Sequence, residues 1–149
     1  KMNASLIKSI FSAKEVYKKV ISDPTGKIEI NKPIIICSGW KPGWSTDYDA
    51  VLMAKNIGAD TVINMSNIDH VYEEDPKKNP SAKPLKEISW QDFRKLVGDT
   101  WSPGLNMPFD PIAAKEAEKN KFKVIIIGNN LDNLRKVLDE EYFKGTTIN

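Results

Sequence analysis

Residues able to do chemistry gather in two stretches of this sequence. The first is Gly39-Trp40-Lys41-Pro42-Gly43-Trp44-Ser45-Thr46-Asp47. Glycines at 39 and 43 let a backbone approach a ligand closely. Ser45 and Thr46 add hydroxyl donors, and Lys41 adds a positive charge. A loop of this composition entering a helix presents unpaired N–H groups and the positive end of the helix dipole, which suits a phosphate. It also reads as an ordinary strand-to-helix connection with a good cap. Trp40 and Trp44 either stack on a base or clasp each other. The second stretch is Ser66-Asn67-Ile68-Asp69-His70-Val71-Tyr72-Glu73-Glu74-Asp75-Pro76. Its Ser66 hydroxyl can bond a ribose or phosphate, and the Tyr72 ring can stack on or wall off a purine. Asp69 and Asp75 can hold a ribose hydroxyl or a magnesium shell, or close Asx turns.

Both stretches need elements to position them. Pro33-Ile34-Ile35-Ile36-Cys37-Ser38 is an apolar run of strand length, while Ala50, Val51, Leu52, Ala54 and Ile57 recur at helical spacing. The first stretch therefore leaves the carboxyl end of a buried strand and enters a helix over 48–57. A Thr46/Asp49 capping box starts that helix, and Gly58 closes it. Residues 60–66 read as a second strand. Strand, helix and strand within about thirty residues make a βαβ unit, so 33–38 and 60–66 are expected as parallel neighbours. Ligands of open parallel sheets sit beyond the carboxyl ends of the strands, where both stretches begin.

The rest of the chain frames this unit. Residues 3–21 read as one or two helices, with apolar faces at Leu6, Ile7, Ile10, Phe11 and at Val16, Tyr17, Val20, Ile21, and a break at Ser12-Ala13. Asp23-Pro24-Thr25-Gly26 is a turn, and residues 27–30 alternate like a short strand. The connection after Ser66 runs on through Pro80 and Pro84, a length that is more often functional than idle. Ser89 with Asp92 caps a short helix over 91–97, and Trp101-Ser102-Pro103-Gly104 is loop. Asp110-Pro111 starts a further helix, with Ala113, Ala114 and Ala117 as its packing face. Residues 123–128 are a third strand. Leu131, Leu134, Val137 and Leu138 mark a last helix, and Gly145-Thr146-Thr147-Ile148 reads as a terminal edge strand. The class is α/β, a largely parallel sheet with helices on both faces, in a single domain over 1–149.

Totals narrow the function. A chain of 149 residues can bury a real core, and a net charge of +2 points to neither a nucleic-acid nor a membrane-surface partner. No apolar run approaches the roughly eighteen residues of a membrane span, and no leader pattern is visible. The single cysteine, Cys37, excludes an intrachain disulfide framework and suits a reducing cytoplasm. Inside its apolar run it reads as a small buried hydrophobe rather than a nucleophile. The single histidine, His70, argues against a structural zinc site.

Ser45-Thr46-Asp47 before a helix, the stretch from Ser66 to Pro76, Asp110-Pro111-Ile112-Ala113-Ala114 and the closing Gly145-Thr146 together resemble the carboxyl-terminal part of the amino acid kinase superfamily. Within it the sequence is most similar to the uridylate (UMP) kinases of the archaeal type, from about Asn3 to Ile148 in the family's order and spacing. The resemblance implies an amino acid kinase-like fold, incomplete at the N-terminus, that transfers the γ-phosphoryl group of ATP to UMP with magnesium. It implies that Trp40, Lys41, Pro42, Gly43, Trp44, Ser45 and Thr46 bind the nucleoside monophosphate. Asp47 would orient catalytic lysines, and Ser66, Tyr72 and Asp75 would contact ATP. The resemblance also implies a homo-oligomer, commonly a hexamer, for which the helix near Asn3–Phe11 is a natural interface.

The sequence departs from that pattern at His70, where the family commonly has Gly, and at Trp40, Lys41 and Trp44. Family members also carry an earlier segment with a lysine-bearing glycine-rich loop and a triple-glycine loop, whose donors hold the transferring group. The chain as given has neither. The expectation is that this segment is supplied in cis by a longer protein or by a second polypeptide, and that the chain alone is inactive. Two other readings stay open: a non-catalytic nucleotide-binding or storage subunit of the same fold, and an amino acid kinase with a carboxylate or carbamate acceptor.

Overall fold

The computed structural model describes residues 2–100 and 107–149. The expected loop at Trp101-Ser102-Pro103-Gly104 lies outside them. The chain divides into two compact units, residues 1–59 and 60–149.

In the first unit, helix α1 (Met2–Ser9) buries Ala4 alone. The helix expected to continue towards Ile21 is absent. Ser12 donates through its N–H and hydroxyl to the Glu15 carboxylate, closing a turn. Beyond it the backbone is extended, with parallel bridges pairing Val16 with Ile34 and Ile21 with Cys37. Val16, Val20 and Ile21 are β-branched, a stiffness that favours extended backbone as readily as their spacing suggested a helix. The run 33–38 is thus extended and partnered by residues 16 and 21. Between the two bridges the first segment advances from 16 to 21 and the second only from 34 to 37. The extra residues interrupt any regular ladder, so no continuous strand forms. The short strand expected at 27–30 is also absent, and Ile30 is exposed. The Asp23–Gly26 turn is present. The Thr25 hydroxyl and amide both donate to Asp23 and hold its carboxyl below the usual range. Asn56 donates to the Pro24 and Gly26 carbonyls, tying the turn to helix α2 (Thr46–Ile57).

Cys37 is exposed rather than buried, and partial desolvation pushes its thiol pKa up.

The second unit is built on a four-stranded sheet. Its strands are β1 (Thr61–Ser66), β4 (Glu87–Ile88), β5 (Lys123–Gly128) and β6 (Gly145–Ile148), in the order β1-β5-β6-β4. β1 and β5 run parallel, from Thr61 beside Lys123 to Ser66 beside Gly128. β6 is antiparallel to β5 and parallel to β4, so the sheet is mixed and mostly parallel. β6 is an interior strand, not the expected edge. β4 pairs with its far edge, and on the β5 side Gly145 lets the chains approach closely, since a Cβ there would lie 2.5 Å from the Ile126 carbonyl oxygen. The separate hairpin of β2 (Val71–Tyr72) and β3 (Pro84–Leu85) lies within the long connection after Ser66.

Helix α3 (Trp90–Val97) is capped as expected: the Ser89 hydroxyl accepts from the Asp92 amide and donates to its carboxylate. Trp90 and Phe93 are buried edge to face, and the Trp90 indole donates to the Phe122 carbonyl. Helix α4 (Pro111–Lys119) begins at buried Asp110, whose carboxylate accepts from the Ile112 and Ala113 amides at 2.6 and 2.8 Å. Ala113, Ala114 and Ala117 are fully buried, as their spacing implied. Helix α5 (Leu131–Leu138) has no buried residue, and Leu131 and Leu138 are 75% and 65% exposed. Its periodicity marked an apolar face correctly but carried no information on what covers that face. No helix of the described residues is long and apolar enough to cross a membrane.

Replacing Asp110 with Ala removes both cap bonds and is expected to cost about 1–2 kcal/mol. Urea unfolding should show the loss, and Asp110→Asn should restore most of it. The raised thiol pKa leaves less thiolate on Cys37 than on a free cysteine at the same pH. Its iodoacetamide alkylation should therefore be slow at neutral pH and should climb only at a higher pH than for a model thiol.

Candidate functional site

The sequence-derived site residues fall into two groups, one in each unit. In the first unit the loop after Ser38 enters α2. Ser45, not Thr46, is the N-cap; its φ and ψ are −78° and 156°, and its hydroxyl oxygen accepts from the Tyr48 amide. The cap therefore sits one residue earlier than the sequence suggested, because Thr46 already has helical backbone. Thr46 and Asp47 occupy the first turn. Asp49, expected to complete the box, instead reaches back, and its Oδ2 accepts from the Trp40 amide at 2.9 Å. That bond fixes the start of the loop against the helix it feeds. Gly43 adopts φ +90°, a conformation side chains rarely allow, while Gly58 at φ 71° ends the helix.

Lys41, Trp40, Trp44 and Tyr48 form one continuous stack. The Trp40 and Trp44 rings lie 6.1 Å apart at 26°, and Trp44 and Tyr48 lie 4.6 Å apart at 17°. The Lys41 ammonium sits 3.9 Å above Trp40. Trp44 thus engages an aromatic neighbour on each side, which is the clasp rather than a ring left open for a base. Lys41, Pro42 and Gly43 are exposed at its rim. The Ser38 hydroxyl and the Asp49 Oδ1 are buried without a hydrogen-bond partner.

In the second unit, Ser66 ends β1 at the same level as Gly128 ends β5. The Ser66 hydroxyl donates to the Asn67 side chain at 3.3 Å. Tyr72 lies in β2, edge-on to His70 at 6.5 Å, and the His70 Nδ1 is buried with no partner. Asp75 is exposed and closes an Asx turn, accepting from the Lys77 amide at 3.0 Å. Ser66 and Tyr72 flank one connection, while Asp75 stands in the following turn.

Asp69 is engaged by a distant lysine rather than by its own turn. The Lys144 ammonium donates to its Oδ2, and this partner raises the lysine's pKa. A Cβ on Gly128 would lie 2.1 Å from Asp69 Oδ1, so the carboxylate fills the space a side chain would take there. Asn133 brackets Lys144, donating to its carbonyl and accepting from its amide at 2.7 and 2.8 Å. Thr146 is fully buried; it accepts from the Val71 amide at 2.9 Å and donates to the Leu85 carbonyl. Sequence reasoning assigned no role to Lys144, Asn133 or Gly128. The one signal was Gly145-Thr146, which marked the segment but not its contacts.

Among the described residues, no three His, Cys, Asp or Glu side chains cluster to hold a metal.

A model of the amino acid kinase family matches residues 1–128. A uridylate kinase of Pyrococcus abyssi is 37% identical over 130 residues, covering 85% of this chain and 57% of the relative. A uridylate kinase of Archaeoglobus fulgidus is 34% identical over 151 residues, covering 99% of this chain and 68% of the relative. The crystal structure of uridylate kinase from Archaeoglobus fulgidus superposes with a TM-score of 0.83 at 34% identity, over 99% of this chain and 67% of that one. The structure of a UMP kinase from Bacillus anthracis shares the fold with a TM-score of 0.71 at 21% identity. The chain thus spans little more than half of the first relative and about two thirds of the second. With a family model over most of its length and archaeal uridylate kinases as homologues, this chain belongs to the amino acid kinase family.

Proposed function

We propose that this chain is the nucleotide-handling part of a uridylate kinase, which transfers the γ-phosphoryl group of ATP to UMP, giving UDP and ADP. The observation that carries this reading is 34% identity to a uridylate kinase over 99% of the chain. The local chemistry supports it. Ser45 uses its oxygen to cap α2 and keeps its O–H to donate. Thr46, the first-turn amides and the positively charged Lys41 add donors suited to the phosphate of a monophosphate. The aromatic stack holds Lys41 at the rim of that loop. In the second unit, Ser66, the Tyr72 ring and Asp75 take the ATP side. The unpartnered Nδ1 of His70 beside Tyr72 suits a hydrogen-bonding ligand.

Magnesium takes few protein carboxylates and fills its shell from phosphates and water. In this reading the metal would arrive with the nucleotide. When bound, it would neutralise phosphate charge. The transfer would be direct and in line, with no covalent enzyme intermediate, since neither loop carries a nucleophile of the right type. Asp47, in the first turn of α2, would orient a lysine supplied by a further segment, in cis or from a second polypeptide. The assembly would be a homo-oligomer in the cytoplasm, with the exposed Leu6 of α1 and Ile10 just beyond its end as an interface.

In the complete enzyme, Tyr72→Ala should raise the KM for ATP more than that for UMP, and an equal rise would refute the division of roles. Asp47→Asn keeps the shape of the side chain and leaves the Ser45 cap intact. It should leave the melting temperature unchanged and lower kcat by about two orders of magnitude, whereas near-normal turnover would reduce Asp47 to a helix-terminus charge. An assembly that binds both nucleotides and turns over neither would be a binding subunit of this fold.

A further inference from the structure

We propose that Asp69 and Lys144 are a positioning pair for the nucleotide side, holding the connection that carries Tyr72 in place over the carboxyl end of β5. The proposal rests on the reading of Ser66 and Tyr72 as ATP contacts.

The geometry begins at the lysine backbone. Asn130 caps α5 and accepts from the Asn133 amide at 2.9 Å. Asn133 then grips both the N–H and the C=O of Lys144. The root of the lysine is therefore fixed before its long side chain reaches Asp69. The carboxylate it meets is fixed too. Asp69 lies over Gly128, where any Cβ would collide with it. A flexible surface pair needs neither arrangement.

The pair also works in step with a second contact. Thr146 stands two residues beyond Lys144, inside β6, whose first residue follows the lysine directly. Lys144 holds Asp69 while Thr146 holds the Val71 amide, again two residues on. The connection is thus gripped at two matching points immediately before Tyr72. Both members of the pair are exposed. Exposed pairs add little to global stability, so the effect of this one should appear in where Tyr72 sits rather than in whether the chain folds.

The test uses the full chain, with magnesium-ATP and separately UMP titrated by calorimetry and thermal unfolding followed in parallel. Lys144→Met and Asp69→Asn should each weaken ATP binding about fivefold or more. UMP binding should be unchanged, and the melting temperature should stay within about 2 °C. Gly128→Ala, which displaces Asp69, should produce a similar loss. The double variant Asp69→Asn/Lys144→Met should be no worse than either single one. Wild-type ATP affinity in both single variants would overturn the pair while leaving the ATP site standing. ATP and UMP affinities falling together with the melting temperature would also overturn it, by making the pair a general brace. Failure of the unaltered chain to bind ATP would overturn the ATP reading and the pair with it.

Discussion

Hydrogen bonding of β5 on both of its edges is the constraint on which the second unit depends. β5 pairs in parallel with β1 and antiparallel with β6, and its residues Val124, Ile126 and Ile127 are fully or almost fully removed from water. A backbone buried this deeply must have each N–H and C=O satisfied. Its two partners must therefore lie in exact register with it. That register sets Ser66 beside Gly128 at one end and brings Gly145 against Ile127 from the other direction. Loops that leave these ends have no freedom to start elsewhere. The candidate ATP residues inherit their position from a strand that carries none of them.

Much of this architecture was legible in the sequence because it is locally encoded. Asp110-Pro111 places a cap and a residue without an N–H exactly where a helix must begin, and both act as read. Ser89 and Asp92 exchange hydrogen bonds three residues apart, within reach of any helix start. The apolar run of β5 and the alanine face of α4 are buried as their spacing required. The motif residues from Ser66 to Asp75 were also locatable, since a strand end and a turn each have their own signature.

What was not legible depended on distant partners. Val16 to Ile21 has helical spacing and β-branched chemistry at once, and the balance was decided by residues 34 and 37. β6 reads as an edge because it is short and terminal. It lies inside the sheet because β4, more than fifty residues earlier, pairs with its far edge, Glu87 beside Thr147 and Ile88 beside Ile148. Thr46 looked like the cap because it pairs with Asp49 at the right spacing, yet Asp49 is spent on the Trp40 amide. The contact between Asp69 and Lys144 spans 75 residues; no spacing rule reaches that far. Family resemblance could name the loops and the departures from them but not what the departures do, and the stack of Trp40, Trp44 and Tyr48 under Lys41 is visible only in the fold.

The two bridges that join residues 16 and 21 to residues 34 and 37 have a bearing on how the chain breathes. A continuous ladder opens as a unit, because each bond is supported by the next. Two isolated bridges with unequal lengths of chain between them lack that mutual support. Each can let go without the other, so the segment gives way in small steps rather than all at once. The half of the chain that carries the tryptophan loop is therefore built to yield gradually, whereas the half built on β5 resists until it fails together.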